Sequence, residues 1–103
     1  MTTLGELELR IMQVLWATAG PVPVRAVHEH LVAARDLAYT TVMTVLDRLA
    51  KKQVVDRSLN GRAWEYVPLT TRAELVGNEM VEVLREGADG DVAPSLAAFV
   101  GAL

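Results

Sequence analysis

Leu37-Ala38-Tyr39-Thr40-Thr41-Val42-Met43-Thr44-Val45-Leu46-Asp47-Arg48-Leu49-Ala50-Lys51-Lys52 lies at the middle of a 103-residue chain and carries two patterns at once. Val42, Val45, Leu46 and Leu49 recur at three- and four-residue steps, the spacing of one buried helix face. Thr40, Thr44, Asp47, Arg48 and Lys51 fall on the opposite side. The stretch therefore predicts a helix over residues 39–52, with an apolar face against a core and a polar face left free.

Upstream, Arg35-Asp36-Leu37 reads as a short polar break, and Val24, Val27 and Leu31 form the stripe of a second helix over 24–34. Pro21-Val22-Pro23 must run extended, because a residue before proline is pushed out of the helical region. Gly20-Pro21 ends a first helix over 4–16, whose stripe is Leu4, Leu7, Ile11, Val14 and Leu15. Thr3 and Glu6 have the spacing of a capping box at its start. Downstream, two strands are expected over 54–58 and 63–69, joined by Leu59-Asn60-Gly61-Arg62. Asn60-Gly61 predicts a type I′ hairpin turn, whose two central residues need positive φ. Trp64 and Tyr66 alternate with Ala63, Glu65 and Val67 as in a half-buried strand, and Trp16, Trp64 and Tyr66 are expected in the core.

Thr71 and Glu74 form a second capping box. The helix it opens has Val76, Met80, Val83 and Leu84 along one face and ends by Gly87. After a loop over 87–91, Pro94 sits in the first turn of a last helix over 94–103, with Leu96, Phe99, Val100 and Leu103 along one side. Helix, helix, short break, helix and hairpin is the order of a winged helix-turn-helix. The expected class is mostly α with a small β-hairpin wing. Residues 1–70 would form the DNA-binding winged helix-turn-helix, and residues 71–103 a pair of C-terminal dimerisation helices.

In such a fold the third helix enters the major groove. Tyr39, Thr40, Thr41, Met43 and Thr44 present short hydroxyls and apolar groups able to reach phosphates, base edges and thymine methyls. Arg48, Lys51 and Lys52 add positive charge one to two turns later, and Arg57 and Arg62 flank the hairpin tip, where a wing would contact the DNA backbone or the minor groove. Asp47 opposes phosphate, and its i+4 partner is Lys51. Two other readings fit the same pattern: a winged-helix interaction module that never touches DNA, and a regulator with an effector pocket between its dimerisation helices. No convergent polar groups mark such a pocket.

The net charge is −3, but its distribution favours a polyanion. Residues 1–72 hold nine Lys/Arg against seven Asp/Glu, residues 73–103 one against six, and residues 35–62 six against three. Cysteine is absent, which excludes disulfides and thiolate metal sites. His28 and His30, two apart on a helix, point apart and do not chelate together. No metal or cofactor is expected. The N-terminus has no signal-peptide pattern, and no apolar run approaches the ~20 residues of a membrane span. A cytoplasmic protein without membrane insertion is expected. No nucleophile, base and orienting group occur together and no glycine-rich phosphate loop is present, so an enzyme is not expected. Hydrophobic residues make up 51% of the chain, enough to suggest apolar surface buried against a partner.

Leu4-Gly5-Glu6-Leu7-Glu8 through Met12, Leu15 and Trp16 resembles the opening of the penicillinase-repressor family, the BlaI/MecI type. Residues 37–52 resemble that family's recognition helix over its whole length, and the hairpin ending in Tyr66, Pro68 and Leu69 is similar too. The resemblance implies a homodimeric repressor of resistance or stress genes, bound to palindromic double-stranded operator DNA. It implies dimerisation through Val76, Met80, Val83, Leu84, Leu96, Phe99, Val100 and Leu103. It further implies release by a regulatory protease linked to a β-lactam sensor, with the scissile bond between Ala98 and Phe99. Ala98 stands where the best-known members have Asn. The family continues with a further acidic, Leu-rich helix, so the expectation is a truncated or naturally short member with a weaker dimer. The copper-responsive branch uses a cysteine-rich tail, which this chain lacks.

Overall fold

Helix α1 forms over Glu6–Ala17 on the first apolar stripe. In this computed structural model, which describes residues 4–103, Gly5 is its N-cap. Glu8, at N3, reaches back and accepts the Gly5 N–H at 3.0 Å. This replaces the box expected from Thr3 and Glu6: Thr3 lies outside the described residues, and Glu6 is the first helical residue. Ile11, Met12 and Leu15 are fully buried, with Leu4, Leu7, Val14 and Trp16 packed at the edge.

Val22–Pro23 does run extended, and it does more than connect. As strand β1 it pairs antiparallel with a later strand, Val22 opposite Tyr66. Helix α2 follows at once over Val24–Val32 and buries Val24, Val27 and Leu31. The turn into the next helix is held by His28. Its Nε2 lies 2.7 Å from the Leu37 carbonyl, which only accepts, so the ring donates there. The same ring meets Tyr39 edge-on with centroids 5.7 Å apart.

Helix α3 spans Tyr39–Lys51 and buries Val42, Val45, Leu46 and Leu49, the four residues expected. Its C-terminus is closed by a Schellman motif. Val54 N–H donates to the Leu49 carbonyl at 3.1 Å and Gln53 N–H to the Ala50 carbonyl at 3.0 Å. Gln53 sits at φ +61°, where glycine is usual.

Strands β2, Val55–Asn60, and β3, Ala63–Pro68, form the hairpin, and the sheet order is β1-β3-β2. The turn differs from the one expected. Asn60 remains in the strand opposite Ala63, leaving Gly61 and Arg62 as the two central residues. Gly61 alone has positive φ, +64°, which is the pattern of a type II′ turn rather than I′. Tyr66 is buried at the base of the hairpin and Val55 beside it. Trp16 is half-buried, and its indole N–H donates to the Thr70 carbonyl at 2.9 Å, tying the strand exit to α1. Trp64, expected in the core, is exposed: it shares the face of Tyr66 but lies one strand repeat nearer the hairpin tip.

The described residues fall into two units, Leu4–Thr71 and Arg72–Leu103. The second holds α4, Arg72–Gly87, and α5, Ala93–Ala102, with Pro in the first turn of α5. Thr71 and Glu74 occupy the N-cap and N3 positions of α4. Among the described residues no helix is long and apolar enough to cross a membrane.

Candidate nucleic-acid interface

With the core face of α3 spent on Val42, Val45, Leu46 and Leu49, the rest of the helix is free. Tyr39, Thr40, Thr41, Met43, Thr44, Arg48 and Lys51 are all exposed. Two large apolar side chains are among them, Tyr39 at 45% and Met43 at 44% exposure. Thr44 donates its hydroxyl back to the Thr40 carbonyl at 2.8 Å, so its methyl becomes the group it offers outward. No side chain caps the N-terminus of α3, where Ala38 is the N-cap, and its first N–H groups remain available to an anion.

Arg48 and Arg62 have no ion-pair partner among the described residues. Arg48 stands on the outer face of α3, and Arg62 at the hairpin tip. Lys51 pairs with Asp47 at 3.1 Å, as its i+4 position suggests.

Two expected cations are placed differently. Lys52 reaches across to α1, where its ammonium meets both Glu8 oxygens at 3.1 and 2.8 Å. Glu8 is only 7% exposed. Burial pushes its carboxyl up, but the Gly5 N–H, Lys52 and the nearby Arg48 outweigh it and hold the group below its ordinary value. Lys52 therefore serves the packing of α3 on α1. Arg57 points from β2 back to α3, its Nη1 3.1 Å from Asp47 Oδ1, and its guanidinium lies 4.4 Å above the Trp64 ring. Neither pairing was legible in the sequence: Glu8 and Lys52 are 44 residues apart, and Asp47 and Arg57 meet only once the hairpin folds back.

Other candidate positions contribute little here. His28 and His30 bond separate carbonyls, those of Leu37 and Ala26. In the C-terminal unit, Val76, Met80, Val83, Leu96, Phe99, Val100 and Leu103 are exposed and Leu84 is half-buried. Ala98 and Phe99 lie inside α5 rather than in a loop.

Three helices with the outer face of the third left free, and a hairpin clasped to its side, define a winged helix-turn-helix protein. The penicillinase repressor family matches residues 4–103, and the chain belongs to that family. It is 52% identical over 89 residues to the transcriptional regulator BlaI of Mycobacterium tuberculosis, which covers 86% of this chain and 64% of that protein. The chain thus spans just under two thirds of the length of this relative. The solution structure of the DNA-binding domain of the repressor BlaI superposes with a TM-score of 0.63 at 25% identity, over 70% of this chain and 87% of that one. Monomeric Bacillus licheniformis BlaI, in complex with the blaP half-operator, gives 0.59 at 25% identity over the same shares. The family is one of repressors, and the relative is a transcriptional regulator.

Proposed function

We propose that this chain is a transcriptional repressor that binds operator DNA as a homodimer in the cytoplasm. The exposed outer face of α3 carries the reading. Thr40, Thr41 and the free N–H groups at the helix start would meet phosphate, Thr44 and Met43 would offer methyls to thymine, and Arg48 would reach a base edge or phosphate. Arg62 at the wing tip would add backbone attraction. The likeness of the helix-turn-helix unit to a protein solved on a half-operator supports this placement.

Dimerisation would use α4 and α5, whose exposed apolar side chains have no other described cover. Their segment, with one Arg against six Asp/Glu, is a poor DNA surface and so suits a protein contact. Two-fold pairing would demand a palindromic operator with half-sites about one turn, ~34 Å, apart. A regulatory protease cutting between Ala98 and Phe99 would remove Phe99 and Val100 from that contact. The bond lies within α5, which must unwind first, and ten residues is shorter than the ~12–15 at which an isolated helix holds in water.

Selection of bound duplexes from a random pool, followed by footprinting, tests the reading. An enriched inverted repeat protected in two adjacent major grooves is expected. Failure to retain any duplex, even at low salt, would instead make the domain a protein-interaction module.

A further inference from the structure

Asp47 is the one carboxylate of α3 and lies on the side of the helix away from its core face. Its two oxygens divide between two cations: Oδ1 takes Arg57 Nη1 and Oδ2 takes Lys51 Nζ, each at 3.1 Å. The Arg57 guanidinium carbon in turn lies over Trp64, 4.4 Å from the ring centroid. The chain of contacts runs from the recognition helix through Asp47 and Arg57 on β2 to Trp64 on β3. Among the described residues it forms a polar link between α3 and the outer half of the wing.

The stability of these pairs does not account for them. All three charged side chains are more than a third exposed, and exposed ion pairs contribute little to folding. A carboxylate at this position also weakens attraction to any polyanion. Resting on the DNA-binding reading above, we propose that Asp47 is a specificity-determining residue. It holds Arg57 and Lys51 away from indiscriminate phosphate contact and fixes the wing against the recognition helix. A duplex of arbitrary sequence meets a cluster of net charge +1 rather than +2. A matched duplex, in which α3 seats fully, meets a wing already set at the right distance from that helix. Without the carboxylate, Arg57 and Lys51 become ordinary mobile phosphate binders and the wing loses its tether.

The test uses Asp47→Asn, Arg57→Gln and the double variant in the full chain. Each is titrated against the footprinted duplex and against a scrambled duplex over a range of salt. Asp47→Asn should raise affinity for the scrambled duplex about three- to tenfold and steepen its log–log salt slope by up to about 1 per subunit. Affinity for the matched duplex should rise less or fall, so the ratio of the two narrows. In the Arg57→Gln background the same change should have a smaller effect, because one of its two cations is gone. Equal shifts on both duplexes, or none, would overturn the proposal, as would full additivity of the two substitutions. Thermal melts of each variant within a few degrees of the parent confirm that folding is not the cause. If the parent chain binds no duplex, the functional reading itself fails, and that outcome is distinct from an unchanged ratio.

Discussion

Arg48 and Lys52 show how differently neighbouring cations on one helix can be employed. Both look like DNA contacts when the helix is drawn as a wheel, and both are exposed, yet Lys52 is tied to Glu8 while Arg48 has no ion-pair partner among the described residues. Truncating it to alanine should cost about 1–3 kcal/mol of binding to a selected duplex if it pairs with a base or a desolvated phosphate. Gel-shift titration with an unchanged circular dichroism spectrum checks this, and parental affinity would remove Arg48 from the interface. Lys52 belongs to the fold, and its partner supplies a pH signature. The Glu8 carboxyl is held below its ordinary value in the folded state, so its contribution is present above the unfolded value and is lost as pH falls through the folded one. Glu8→Gln should destabilise the protein by about 2 kcal/mol at neutral pH, where the charged hydrogen bonds are lost. The difference in melting temperature from the parent should close below the ordinary carboxylate range. A gap that is constant with pH would show that the ion pair is not its source. The sequence could reveal the i+4 pair of Asp47 and Lys51, because helix geometry alone brings them together. It could not reveal partners that only tertiary folding brings together.

At the scale of elements, periodicity carried most of the information. The four-residue core face of α3 was readable in full, since a three-and-four spacing has one structural meaning over so long a run. Strand β1 was readable only as extended chain: two residues hold no alternation, and its pairing depends on where Tyr66 arrives. The hairpin was legible and its turn was not. Asn60-Gly61 satisfies type I′, but the register that buries Tyr66 and Val55 places Gly61 first in the turn, and one glycine suffices there. Trp64 alternates correctly but sits nearer the hairpin tip than Tyr66, and alternation tells the face of a residue and not its distance along the strand from the core. The end of α3 offers an engineering test. Gln53 occupies a left-handed position that L side chains adopt at a cost, so Gln53→Gly should stabilise the protein by about 0.5–1 kcal/mol. Chemical denaturation reads this directly. A loss of stability would mean that the greater freedom of glycine in the unfolded chain outweighs the relief.

For the whole molecule, two kinds of surface fall in two different units. The N-terminal unit closes a core of its own and leaves a polar, partly cationic helix face outside. The C-terminal unit buries Leu75 but leaves most of its large apolar side chains exposed, including Phe99 at 44% and Val100 at 66%. If a second copy covers them, Phe99→Asp should weaken self-association about a hundredfold or more, because each such burial counts twice across a two-fold axis. Sedimentation at micromolar concentration should then show a dimer for the parent and a monomer for the variant. A parent that runs as a monomer at tens of micromolar would separate repression from dimerisation. The central claim, that the outer face of α3 together with the wing is what touches DNA, is tested most directly by amide chemical-shift mapping. The isotope-labelled chain is titrated with the duplex recovered by selection. The largest changes should fall at residues 39–51, on the exposed side of the helix, and at residues 60–63 of the hairpin tip, with α4 and α5 little affected. Changes confined to residues 72–103, with α3 and the hairpin tip unmoved, would contradict it.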